Sequence, residues 1–127
     1  MLKAGDTFLI PKSSSAIEHL WVVLTDPDSD NSAVCVNITT KQGYSDMTVI
    51  LKPGEHPFIK KESVAHYPDA RFLDLASVQA ALDAKTKSFV CSQHEPCGAK
   101  LLKRLRDGLL TSPHTPRGPK DYCKKIW

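Results

Sequence analysis

Leu20-Trp21-Val22-Val23-Leu24-Thr25 is followed by Asp26-Pro27-Asp28-Ser29-Asp30-Asn31, and then by Ala33-Val34-Cys35-Val36-Asn37-Ile38-Thr39-Thr40. The first run is nearly continuous β-branched and aromatic sequence, so it predicts a strand buried on both faces. The middle segment is dense in turn-forming residues, and the third run is the next strand. So short a polar connection fits a hairpin better than a helical crossover. Working outward, Thr7-Phe8-Leu9-Ile10 reads as a strand between the turn-like Gly5-Asp6 and Pro11, and residues 12–18 as a polar loop. On the other side, Lys41-Gln42-Gly43-Tyr44-Ser45-Asp46 is a turn. Met47-Thr48-Val49-Ile50-Leu51 follows and is stopped by Pro53-Gly54. Four β runs at intervals of about 12 residues predict a small antiparallel barrel or curled sheet. Phe58-Ile59 and Val64-Ala65-His66-Tyr67 are candidates for two further short strands.

The period then changes. Asp74 is an N-cap candidate, and Leu75, Val78 and Leu82 recur at helical spacing behind it. A second helix carries Leu101, Leu102, Leu105, Leu109 and Leu110 on one stripe, with Lys100, Lys103, Arg104 and Arg106 mainly on the other faces. Pro96 suits a first turn, and Gly108 weakens the last one. Beyond Thr111 the sequence predicts a mobile basic tail ending in Ile126-Trp127. The expected fold class is mainly β with C-terminal helices (α+β). The expected organisation is a barrel with a short helix over residues 1–85 and a basic helical extension and tail over 86–127.

Composition narrows the function classes. The chain has 127 residues, 41% of them apolar and 24% charged, which fits one ordinary folded domain. No apolar run approaches the about 18 residues of a membrane helix, and no export signal opens the chain. Cys35, Cys91, Cys97 and Cys123 therefore read as reduced thiols of a cytoplasmic protein. Residues 1–84 hold 7 Lys/Arg against 11 Asp/Glu, whereas residues 85–127 hold 10 against 3. This asymmetry suits an anionic partner, nucleic acid or acidic protein, or a solubilising helix surface.

The sequence has no phosphate loop, no dinucleotide fingerprint and no His-Glu-x-x-His motif. Cys91-x-x-His94-x-x-Cys97 is the nearest approach to a metal cluster, but it lacks a fourth ligand and contains Pro96, so no metal and no cofactor is expected. His19, Thr39, Thr40, His56, Ser63 and His66 are the informative set. If they fall at neighbouring strand ends, one barrel rim would present imidazoles and hydroxyls beside the cations Lys41, Lys60 and Lys61. Such a rim suits phosphodiester cleavage: one group removes the 2′-hydroxyl proton, one protonates the leaving oxygen, and donors hold the phosphate. Imidazole titrates near working pH. Lys103 and Arg104 on the basic helix are further candidates for backbone contacts to single-stranded RNA.

Gly5-Asp6, the run from His19 to Leu24, the strand closing on Thr39-Thr40, and the Lys41-Gln42-Gly43-Tyr44 and Val49-Ile50-Leu51 segments together resemble the MazF/PemK (Kid) toxins of bacterial type II toxin–antitoxin systems. The similarity spans about residues 4–82. It implies an SH3-like barrel, a homodimer, a cognate antitoxin protein as partner and a metal-independent endoribonuclease activity. The family's threonine position falls on Thr39 or Thr40. Its arginine, before the second strand, falls on His19, a departure that places a titratable ring where the family has a permanent charge. The CcdB toxins share the barrel and act on DNA gyrase through a tail containing tryptophan. Trp127 raises the alternative of a non-catalytic binder of a protein target, and a nucleic-acid or protein interaction module is a third reading.

Overall fold

The computed structural model describes residues 1–11, 18–43, 45–84 and 92–127. Most of the polar loop expected over 12–18, together with Tyr44 and Cys91, lies outside them. Its strands are β1 (Thr7–Pro11), β2 (Glu18–Val23), β3 (Ser32–Thr40), β4 (Ile50–Leu51), β5 (Ser63–Asp74) and β6 (Ser92–His94). Its helices are α1 (Leu75–Asp83), α2 (Ala99–Thr111) and α3 (Arg117–Ile126). The six strands form one antiparallel sheet in the order β4-β5-β3-β2-β1-β6, curled into a half-barrel. This is the expected α+β class. No helix among the described residues is long and apolar enough to cross a membrane.

The centre of the sheet is dry on both sides, as the unbroken apolar runs predict. Leu20, Val22, Leu24, Val34, Val36 and Ile38 join a core that Leu101, Leu105 and Leu109 of α2 and Cys123 of α3 complete. The intervening Val23, Ala33 and Cys35 face a second cluster with Leu2, Phe8 and Leu75, covered by Val78 and Leu82 of α1. Asp74 caps α1 as expected, its carboxylate accepting from Ala76 N at 3.0 Å and from Ser77 Oγ at 2.9 Å.

Three expectations are corrected. β4 is only two residues long. Phe58-Ile59 is not a strand, and the expected short strand at residues 64–67 is part of the twelve-residue β5. Pro68 does not break β5 because its ladder is already interrupted there. Asn37 pairs with His66 but Cys35 with Arg71, so Tyr67–Ala70 bulge opposite Val36, and the missing Pro68 N–H costs no ladder bond.

The C-terminal third is not an appendage. Within it, β6 pairs with β1, Cys97 N donates to Gly5 O at 2.8 Å, and the α2 stripe fills the main core. The expected mobile tail is also folded: α3 packs Pro119, Tyr122 and Cys123 inward. Pro119 lies in the first turn of α3, where an N–H has no intrahelical acceptor, so proline is tolerated.

Gly108 is a packing requirement. A methyl group there would lie 2.2 Å from Tyr67 Oη and 2.4 Å from a Val49 methyl. The close approach lets Tyr67 donate to the Leu105 carbonyl at 2.8 Å, and burial pushes that phenol's pKa up. Gly108→Ala gains helix propensity of about 1 kcal/mol but overpacks the contact. A net loss of about 1–3 kcal/mol is expected in urea denaturation. An unchanged or higher midpoint would show that α2 can retreat without cost.

Candidate active site

One end of the sheet gathers the start of β2, the end of β3 and the start of β5. Antiparallel pairing causes this: a strand that ends meets neighbours that begin. Leu20 pairs with Ile38, and one step outward lie His19 and Thr39; Thr40 pairs with Ser63. These side chains border a cleft of about 320 Å³, closed on another side by Phe58, Lys60 and Lys61 from the loop between β4 and β5. His19, Thr39, Thr40, Lys60, Lys61 and Ser63, far apart in sequence, therefore line one depression. No carboxylate is among the described residues lining it.

Ser63 is nearly buried and its hydroxyl donates to the Lys61 carbonyl at 2.9 Å. Beside the cleft, Glu62 holds Lys41 at 2.8 Å and Lys52 at 2.9 Å. Hydrogen bonds from Lys41 and Lys52, backed by their charges, pull the Glu62 carboxyl down to about 2. Lys60 and Lys61 form no ion pair among the described residues, so the cleft keeps their charge unspent.

Other expected site residues lie elsewhere. His56 does not line the cleft. It is buried, with one ring nitrogen 2.6 Å from the Glu95 carbonyl and the other accepting from Phe58 N at 3.1 Å. The first contact needs N–H on Nε2 and the second a lone pair on Nδ1, which defines a neutral tautomer with both nitrogens committed. The expectation that His56 shares a rim with His19 is thereby corrected: the ring braces a loop. Lys41 is outside the lining and tied to Glu62. Lys103 and Arg104 are on α2, paired with Asp107 at 2.9 Å and with Glu55 respectively; Arg104 also donates to the Ile50 carbonyl at 2.8 Å. These two cations fasten α2 to itself and to the loop and strand beside it. The His94 ring lies beside that of His56, tilted by 50° with centroids 5.1 Å apart. Trp127 lies back on α2, its ring 5.3 Å from the Arg106 guanidinium. Phe58 belongs to the cleft, yet the sequence offered it only as part of a short strand.

No protein-family model matches this sequence, and no curated protein matches it. Among solved structures, a chain in the crystal structure of MazE-MazF (Form-III) from Deinococcus radiodurans is similar, with a TM-score of 0.56. The match covers 87% of this chain and 94% of that one at 15% sequence identity. The fold is MazF-like. At this identity the likeness concerns architecture, and function must be argued from the site.

The Glu62 bridge gives a signed prediction. A carboxylate whose folded pKa lies below its unfolded value of about 4.3 stabilises the fold fully above that value and loses the contribution as pH falls toward 2. In urea titrations the gap between wild type and Glu62→Gln should narrow over that acid window, and shrink with salt because the bridge is solvent-exposed. A gap independent of pH would refute the charge pairing.

Proposed function

We propose that this chain is a toxin-type endoribonuclease that cleaves single-stranded RNA in the cleft bounded by His19, Thr39, Thr40 and Ser63. The observation that carries this reading is the convergence of an imidazole, hydroxyl donors and two uncommitted ammonium groups in a depression whose described lining has no carboxylate. Such a cationic cleft attracts a polyanion.

In the proposed reaction His19 takes the proton from a ribose 2′-hydroxyl. The 2′-oxygen attacks the adjacent phosphorus, the bond to the 5′-oxygen breaks, and a 2′,3′-cyclic phosphate and a 5′-hydroxyl result. The departing oxygen takes its proton from water or from the Lys60 or Lys61 ammonium. Thr39 and Thr40 position the phosphate by hydrogen bonding, Ser63 holds the lysine-bearing loop through its bond to the Lys61 carbonyl, and the lysines offset the charge that builds on the phosphate oxygens. The nucleophile is internal to the substrate, so no metal ion or cofactor is required. A permanently charged arginine would bind the phosphate more strongly, whereas His19 supplies proton transfer.

The similar chain was solved in a MazE-MazF complex, which supports a protein partner for this one; the proposed partner is a cognate antitoxin and the proposed working form a homodimer. The alternative binder that grips a protein target through Trp127 fits less well, because that ring is already stacked on Arg106.

The test is incubation of the pure protein with a long RNA and with the matching DNA, both in excess EDTA, followed by end mapping. Cleavage of RNA alone, at defined sites and with cyclic phosphate ends, is expected. His19→Ala should slow it by about 10²–10⁴-fold, and Thr39→Ala or Thr40→Ala by about 10- to 10³-fold, the larger loss marking the residue nearer the reacting phosphate. RNA left intact, or cleavage undiminished in His19→Ala, would dismiss the mechanism.

A further inference from the structure

The proposed reaction uses the polar side of the cleft and leaves an aromatic wall unexplained. Phe58 is half-buried and lines the cleft beside Lys60 and Lys61. Its setting is unusually fixed for a loop residue. The backbone N–H of Phe58 donates to His56 Nδ1 at 3.1 Å, and His56 Nε2 is bound to the Glu95 carbonyl at 2.6 Å. That carbonyl also accepts from Thr7 Oγ1 at 2.6 Å, so the anchor runs back to β1. The Phe58 ring meets the His94 ring edge to face, centroids 5.9 Å apart, and Ile59 N donates to the His56 carbonyl at 2.9 Å. The ring contact with His94 and the backbone bonds around residues 56–59 therefore hold Phe58 at the edge of an open, cationic cleft.

Resting on the endoribonuclease reading, we propose that Phe58 is a base-stacking subsite. It takes one unpaired nucleobase of the RNA while Lys60 and Lys61 follow the neighbouring phosphates. His56 is a positioning residue that acts through Phe58. An aromatic ring beside a cationic track is the arrangement that binds single strands with little sequence preference, because every base has a π face to offer. In a duplex that face is already stacked, so the subsite selects single-stranded over double-stranded substrate. The fixed ring lowers the ordering cost on binding, in contrast to a mobile surface aromatic. With one ring nitrogen accepting from a loop N–H and the other donating to a carbonyl on the opposite segment, the buried His56 ring joins the two rigidly.

The experiment measures equilibrium binding of a short, uncleavable 2′-O-methyl RNA, in wild type and Phe58→Leu, with an abasic site walked along the strand. Leucine keeps the apolar packing, and circular dichroism with a urea midpoint confirms folding. In wild type one abasic position should weaken binding by about 5- to 100-fold. In Phe58→Leu the intact strand should bind about that much more weakly, and the same abasic site should cost nothing more. Phe58→Tyr should restore the wild-type pattern. His56→Gln should raise the dissociation constant for the intact strand and reduce the abasic penalty together. Equal penalties in wild type and Phe58→Leu, with RNA still cleaved, would overturn the subsite and leave the proposed function standing. RNA that is neither bound nor cleaved by the wild type would overturn both.

Discussion

β3 is buried on both faces and hydrogen-bonded along both edges, and this constraint sets the rest of the molecule. A strand that alternates its side chains between two apolar layers cannot slip by one residue without exchanging the layers. Val34, Val36 and Ile38 must face α2 and α3, and Ala33 and Cys35 must face α1. With that register fixed, Thr39 and Thr40 have no freedom in where they emerge. The same ladders locate His19 one step past Leu20 and Ser63 opposite Thr40. A site made of strand ends is thus as precise as the sheet that carries it, without a dedicated scaffold.

The division of cations is the second organising feature. Lys103, Arg104 and Arg106 look in sequence like an anion-binding stripe, but the structure commits each: to Asp107, to Glu55 and Ile50, and to the Leu24 carbonyl. Lys41 and Lys52 are likewise held by Glu62. The front half of the chain carries the lower net charge, yet the uncommitted pair in the cleft, Lys60 and Lys61, belongs to it. Net charge by segment was therefore a poor guide to where an anion would be met. The partners that neutralise a cation come from other parts of the chain, such as Glu55 for Arg104.

Sequence patterning carried much of the architecture for a physical reason. Periods of two and of 3.6 are local, so β1, β2, β3, the Asp74 cap of α1 and the α2 stripe were all legible. Features that depend on distant neighbours were not. Nothing near Pro68 in the sequence announces the bulge opposite Val36 that lets β5 run through it. Gly108 looked like a weak helix position because Tyr67 and Val49 are contributed from elsewhere. Pro119 and Gly118 concealed α3. At the site, His19, Thr39, Thr40 and Ser63 line one cleft because strand ends meet in antiparallel pairing, and Lys60 and Lys61 join them from the loop before β5. His56 was misplaced because residue type does not reveal burial, and Phe58 was read only as part of a short strand because the path of a loop over a cleft has no local period.

The lateral edge of β1 has a consequence for how the molecule is made. That edge is closed by β6, and Thr7 is bonded to Glu95 across 88 positions of chain. During synthesis β1 must wait, with unpaired amides along one side, until residues 92–95 have left the ribosome. High contact order of this kind slows folding and exposes a template for wrong pairing with other nascent copies. Growth temperature and the availability of holdase chaperones should therefore govern the yield of soluble product.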